Sequence, residues 1–575
     1  MVTKVRGASS QTFQSRTDMK AYDAPVGAVL YLSEGGRSGE GVVKSGTPPS
    51  DPQEGIYVVL DNGNYWERVI EGGCVTPAMF GALDSASRVP FQEAENFASS
   101  NGLYVLYDRP YTITLANAEG SFYPVGVICR DNTKHIFVGD GSVRINDTAS
   151  EGYQIFQVWD TTDALFIRPK IIGDVDSHTG TTGEFGMGID ARGTTNLRII
   201  EPNISKCWGD GIYIGTTASQ DFCKSVFIDS PVLPLNRRQG ISVISVDGFY
   251  LTNPVIENTG GTSPAAGIDF EPNAATHLLK NIRISGITTK GNDGYGILFA
   301  LQNLDNTSQD VDVEISGHTS DEDYGGFSVQ SVASGVGGRV IYNQSQANLS
   351  DTASIYVRNK SRNSFLLKII EPKVKDANVL GVGGSQGSGI VVANESGDVN
   401  YGDIGNVKII QPEISDNRVT KKTPYGVYVN CTNGNAAAQV DIIDPISISG
   451  MLSKQLFFVG ELWRLSDPSR ILSENISASG GMTVDDWKSY VTNSGAGAAV
   501  TYELPSVPTA PEITFTVESA NLFRIVPDAL EFIRPITSSA GATISSSQIG
   551  DTITLRKDTT NEWRVVKQVG AWTTP

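Results

Sequence analysis

The chain has 575 residues, 39% hydrophobic and 19% charged, which excludes intrinsic disorder and leaves room for more than one domain. A net charge of -19 removes the basic footprint that nucleic-acid binding needs, and no apolar run reaches the roughly 18–20 residues of a membrane-spanning helix. Five scattered cysteines (Cys74, Cys129, Cys207, Cys223, Cys431) and four distant histidines match neither a disulfide framework nor a metal motif, so buried thiols, no metal and no cofactor are expected.

The first residues lack the apolar core of a secretory signal, which predicts synthesis and folding in a cytoplasm. Val29–Leu32 and Ile56–Leu60 read as strands on either side of a Gly/Ser/Pro-rich stretch from Glu34 to Pro52. Residues 1–72 are therefore expected to form a small β domain, an adaptor. A helical pattern follows at 90–98, with Phe91, Ala94, Phe97 and Ala98 on one face and Pro90 at its start, and then a first strand within 102–107. A helix placed there would cap the open end of a sheet.

From residue 164 the chain repeats. The unit is two apolar residues at alternate positions, then Pro and another apolar residue: Leu197, Ile199, Pro202, Ile204; Val226, Ile228, Pro231, Leu233; Phe249, Leu251, Pro254, Ile256. It returns at Leu367, Ile369, Pro372, Val374 and at Val407, Ile409, Pro412, Ile414, with degenerate copies anchored at Ile287, His318 and Ser345. A glycine followed by alternating apolar residues comes after most copies, as in Gly211-Ile212-Tyr213-Ile214, Gly240-Ile241-Ser242-Val243 and Gly267-Ile268-Asp269-Phe270. Period-two strands bury one face only, and two of them per repeat cannot bury it alone. Stacking repeats about 4.8 Å apart makes one continuous interior. The expectation is an all-β chain built on a right-handed parallel β-helix over 73–450. A linker at 451–495 then leads to alternating strands over 496–575 that suggest an antiparallel sandwich.

Several stretches together resemble phage tailspike depolymerases. "YLSEGG", "DNGNYWERV" and "VTPAMFGA" are similar to that family's junction between head and β-helix, and "YELP", "ITFTVES" and "DTITLRKDTTNEWRVV" resemble its lectin-like C-terminal sandwich. The pattern is most similar to Klebsiella phage capsule depolymerases. One departure follows Ala82, where the family's acidic run is replaced by Leu83-Asp84-Ser85-Ala86-Ser87-Arg88. The resemblance implies a homotrimer in a virion tail, docking to another tail protein through its N-terminal segment, with bacterial capsular polysaccharide as substrate and no cofactor. It assigns no catalytic residue, because tailspikes place their carboxylates differently from one to the next.

The site must be sought on outward positions. Aligning the glycine-led strands gives an outward ladder of Asp190, Tyr213, Ser242, Asp269, Leu298, Ser328, Tyr356, Val391 and Tyr428. Asp269 and Glu271 face the same way, about 6.5–7 Å apart, within the separation that glycosidases use between their two carboxylates. They are the expected catalytic pair, both on the surface. Asp210 comes next, beside Trp208, which either stacks on a sugar or packs in a coil corner. Glu257 and Asp293 are placed to reach over the ladder from loops, and Arg237 and Arg238 to meet an anionic sugar. Tyr213, Ser242 and Asp190 complete the expected substrate contacts, and Asp321-Glu322-Asp323 reads as a solvated turn. Three functions stay open: an endo-glycosidase, a lyase acting on a uronate, and a receptor-binding spike without catalysis.

Overall fold

The structure, a computed structural model, describes residues 11–118, 121–394, 403–431, 438–443, 446–459, 464–466, 473–475, 490–493, 496–504, 512–559 and 562–574. It divides into two compact units, one reaching from the N-terminus through the repeats and one made chiefly of residues 457–575.

The repeats form a parallel β-helix with three strands per coil rather than two. Strands such as Thr195–Ile200, Cys223–Asp229 and Val246–Thr252 stack into a first sheet. Short strands such as Asn203–Ser205, Val232–Pro234 and Val255–Glu257 make a second. The glycine-led strands, among them Asp210–Gly215, Gln239–Val243 and Ile268–Phe270, make the third. The motif that reads as one strand and a corner thus contains two strands. The bend between them is a single left-handed residue just before the proline: Arg168, Glu201, Ser230, Asn253, Glu371 and Gln411 all have φ of 47–53°. Pro fixes the next φ and cannot extend the ladder, so the chain must turn there. In two degenerate coils the corner falls to Gly286 and Gly317 at φ +67, where the missing Cβ removes the left-handed penalty and the proline is dispensable.

The registers keep like on like. Leu197 stacks on Val226 and Ile199 on Ile228, and Phe249 then stacks on Ile282 and Leu251 on Ile284. Polar residues inside the coil are held by hydrogen bonds. Asn236 and Asn292 each accept from a backbone N–H of the preceding coil, those of Cys207 and Thr259. Asp323 is not part of a solvated turn. Asp321 and Glu322 face Lys290 outside, but Asp323 is buried and accepts from Thr289, Ser320 and both nitrogens of Asn292. Its column carries interior hydroxyls and amides that pair it, a feature periodicity alone does not reveal.

The helix at Val89–Asn101 covers the first coils as expected, burying Phe91, Ala94 and Ala98. The first sheet starts earlier than the first repeat, since Cys74–Val75 already pairs with Tyr104 and Val105. Ahead of it lies a five-stranded sheet that includes Gly39–Lys44, a strand inside the Gly/Ser/Pro-rich stretch. This sheet is not detached from the solenoid. Buried Arg37 donates to Met79 O at 2.9 Å and to Asp84 at 3.2 Å, anchoring the small sheet on the residues that lead into the capping helix.

In the second unit, two sheets share one apolar cluster containing Tyr502, Phe515, Phe523, Ile553 and Trp563. Its pairing is mixed: Val500–Glu503 runs parallel to Phe523–Val526, whereas Ile513–Thr516 runs antiparallel to Thr552–Leu555. The segment read as a linker carries short strands at Ser473–Asn475 and Tyr490–Thr492. Among the described residues no helix is long and apolar enough to cross a membrane.

Candidate functional site

The third sheet stacks Asp190 on Tyr213, Tyr213 on Ser242, Ser242 on Asp269 and Asp269 on Leu298. This is the ladder expected from the alignment. Beyond it the face turns apolar: Leu298, Tyr356 and Val391 join Tyr295 in a cluster outside the coil interior. The acidic half is where chemistry is concentrated.

That half has two levels. Asp190, Asp210, Asp269, Gln239 and Ser242 are buried, with Asp269 0 % exposed. Above them lie the side chains of Glu271 and Glu184, 28 % and 37 % exposed, joined by Arg238. The guanidinium touches Glu184 at 3.1 Å, Glu271 at 3.3 Å and Asp210 at 3.7 Å. Two carboxylates on one guanidinium cannot be further apart than the upper end of the roughly 5–9.5 Å spanned by glycosidase pairs. Asp269 therefore does not stand on the surface as its alternation suggested. Neighbouring strands and the Gln239 amide cover it, and only Glu271 of the pair meets solvent.

The hydrogen bonds run in one direction. Ser242 Oγ lies 2.8 Å from Asp210 Oδ2 and 2.5 Å from Gln239 Oε1, while Gln239 Nε2 donates to Asp269 Oδ2 at 2.5 Å. A hydroxyl has one proton and cannot donate to both neighbours. A protonated Asp210 resolves this: it donates to Ser242, Ser242 to Gln239, and Gln239 to Asp269. The electrostatics agree. Burial pushes Asp210 up to about 7, with Arg238 offsetting only part of the effect. Burial, then the charge and hydrogen bond of Glu271, push Asp269 well above the ordinary carboxylate range. Asp269 Oδ1 has no N–H or hydroxyl donor among the described residues, which suits a neutral acid that donates to Glu271 instead.

No family model matches the chain. An uncharacterized Bacillus subtilis protein, YclG, is 27% identical over 261 residues, 40% of this chain and 44% of that protein. A second, SPbeta prophage-derived uncharacterized protein YorA of Bacillus subtilis, is 25% identical over 32% of this chain and 34% of its own length. The chain thus spans less than half the length of the curated relatives it matches. Among solved structures, the tailspike gp49 of Acinetobacter baumannii bacteriophage Fri1, a capsular polysaccharide depolymerase, aligns over 98% of this chain and 92% of that one at 10% identity and a TM-score of 0.46.

Of the other expected residues, Tyr213 and Asp190 lie at one end of the cluster, bridged by Arg192, which pairs with Asp190 at 2.7 Å and covers the Tyr213 ring. Burial raises Asp190 while Arg192 opposes it. Trp208 is not an exposed platform: its ring stacks on His178 at 3.6 Å, lies under Arg237 and donates to Thr182 O. Arg237 is committed to that stack rather than to the acids. Glu257 belongs to the second sheet, between Pro234 and Lys290. Asp293 is exposed, bonded through its backbone to Thr259, and its charge acts on Asp351. The sheet geometry leaves both outside the cluster.

Two members of the cluster, Gln239 and Glu184, are not among the expected residues. Gln239 precedes the glycine of its strand as Asp210 does, and the two pair in register, so extending the alignment one residue upstream would have found it. Glu184 sits in a coil loop of variable length, where no repeat position marks it.

The raised value of Asp210 has a consequence for stability. Its folded value of about 7 exceeds the ordinary 3.8, so its contribution is fully present below about pH 4 and is lost as pH rises through 7. Asp210→Asn, whose amide donates to Ser242 as the acid does, should flatten the fall of Tm between pH 5 and pH 8 and exceed wild type at pH 8. The ceiling is about 4 kcal/mol. An unchanged slope in thermal melts would show that Asp210 is ionised in the folded protein.

Proposed function

We propose that the chain is a phage tailspike that binds bacterial capsular polysaccharide and cuts it by endo-glycosidic hydrolysis at the Arg238 cluster. The observation that carries this is the two-level arrangement of acids: solvent-facing Glu271 and Glu184 on one guanidinium, over a buried Asp269 that burial and the charge of Glu271 hold well above the ordinary carboxylate range. Glycoside hydrolysis needs one carboxyl to protonate the leaving oxygen and a second carboxylate to attack or activate water. In this reading the Asp269–Glu271 pair supplies the proton through Glu271, and Glu184 is the second carboxylate. Tyr213 and Arg192 extend the polar face along the ladder, where neighbouring sugars would lie. The phage assignment rests on the sequence resemblance at residues 75–82 and on a prophage-derived relative. It brings with it a homotrimer in the virion tail, attached through the N-terminal sheet.

Incubation with a panel of purified capsules tests the proposal. Chain shortening with new reducing ends and no near-ultraviolet absorbance of an unsaturated uronate is the expected result. Such absorbance would make the protein a lyase, and binding without shortening a receptor-binding spike. Light scattering should give three times the 61.5 kDa chain mass, and a stable monomer would overturn the trimer.

A further inference from the structure

A second concentration of reactive side chains lies far along the sequence from the acid cluster and is unused by the proposed chemistry. Where the capping helix meets the first coils, Glu95, Cys129 and His135 turn one ligand atom each toward a common point, all within 4.8 Å of one another. Glu95 comes from the helix, Cys129 from the end of strand Val125–Ile128, and His135 from strand Lys134–Phe137 of the next sheet. All three are buried.

We infer that Glu95, Cys129 and His135 bind a zinc ion that fastens the capping helix to the first coil. Glu95 Oε2 lies 3.3 Å from His135 Nε2, and Cys129 Sγ lies 3.7 Å from the same nitrogen. Tetrahedral zinc, with bonds of about 2.0–2.3 Å, holds its ligand atoms about 3.3–3.7 Å apart along each edge. The separations match a metal's coordination edges. For a carboxylate–imidazole hydrogen bond 3.3 Å is long.

Glu95 Oε1 accepts from the Arg130 N–H at 2.9 Å, while buried Oε2 faces His135 Nε2 at 3.3 Å and has no closer donor among the described residues. A buried carboxylate oxygen with only one long imidazole contact is costly unless a cation meets it. The Tyr107 hydroxyl lies 3.3 Å from His135 Nδ1 and can accept its proton, leaving the Nε2 lone pair for the metal. The ring is also fixed by stacking on Phe166 at 4.7 Å. Thr133 Oγ1, 2.9 Å from Nε2, is at hydrogen-bond distance, a contact that the metal would replace. One thiolate, one imidazole and one carboxylate form a donor set for a borderline-soft ion, and the sulfur disfavours calcium and magnesium. On binding, the thiol gives up its proton, so the ion's two charges meet two anionic ligands.

The spacing was not legible as a motif. Glu95 precedes Cys129 by a whole coil, and Cys129 and His135 belong to no pattern that marks zinc in sequence. What brings them together is the seating of the helix on the open end of the solenoid.

The full chain, produced in zinc-supplemented medium and desalted, should carry about one zinc per chain by elemental analysis. Produced in cobalt-supplemented medium, it should show a thiolate-to-cobalt charge-transfer band in the near ultraviolet. Cys129→Ser, which keeps the side chain's size, should lose the band and most of the metal while circular dichroism still reports a β fold. Absence of both zinc and the cobalt band in folded wild type would overturn the site, leaving a Glu95–His135 ion pair. Retention of full metal by Cys129→Ser would overturn it as well. Should the serine variant fail to fold, the cobalt spectrum of wild type decides.

Discussion

Asp269→Asn is expected to lower polysaccharide turnover at least about a hundredfold, the scale for losing a general acid or base, while leaving the fold intact. The substitution reproduces the neutral acid. The carbonyl oxygen of asparagine accepts from Gln239 Nε2 as Oδ2 does at 2.5 Å, and its amide can donate to Glu271. What disappears is the transferable proton. Glu271→Gln should cause a loss of the same size by a different route, since it removes the one carboxylate of the pair that meets solvent. The two differ in binding: Asp269 is buried and touches no sugar, so Asp269→Asn should bind capsule like wild type. Glu271→Gln should change affinity as well, because its head group lies at the surface. Turnover of defined capsule fragments together with isothermal titration separates these effects. If both variants keep near-normal turnover, Glu271 and Asp269 form a structural pair and hydrolysis at this cluster is ruled out.

How much of this is legible in the sequence depends on what each residue's neighbours contribute. The ladder from Asp190 to Tyr428 was readable because register in a parallel solenoid is set by its apolar positions. Once Ile212, Ile241 and Ile268 are aligned, the residues beside them must stack. Burial along that ladder was not readable. Alternation says which way Asp269 points, but not that Gln239 and Arg238 close over it. Those two residues come from the preceding coil, and their reach is a matter of side-chain length rather than period. Glu184, Glu95 and the mixed pairing of the C-terminal sheets share this limit: each is placed by a loop or a helix whose path no repeat constrains. Trp208 shows the opposite case. An aromatic next to an acid reads equally as a sugar platform or as corner packing, and His178 and Arg237 on its two faces use the ring for packing.

Arg238→Met should destabilise the protein by about 3 kcal/mol at neutral pH, the lower end of the range for breaking a buried ion pair. The loss is kept to that end because Glu184 and Glu271 retain some water, whereas Asp210 has none. Arg238 also donates to Gln239 Oε1 at 2.5 Å, so its removal loosens the relay between Asp210 and Asp269. The penalty must depend on pH, and its sign is fixed. Without the guanidinium, which lowers both, the folded values of Asp210 and Asp269 rise further above their unfolded ones. A raised folded value contributes stability below the unfolded value that is lost as pH rises. The gap in Tm between Arg238→Met and wild type should therefore be small near pH 4 and widen steadily toward pH 8. Arg238→Lys retains a charge but presents a single ammonium on a flexible stem in place of a planar fork that reaches three acids. It should fall between the two at pH 8 and converge with both at pH 4. A gap that stays constant across this range would mean that Arg238 holds the strand by packing its stem, and that the acids above Asp269 are balanced by water rather than by its charge.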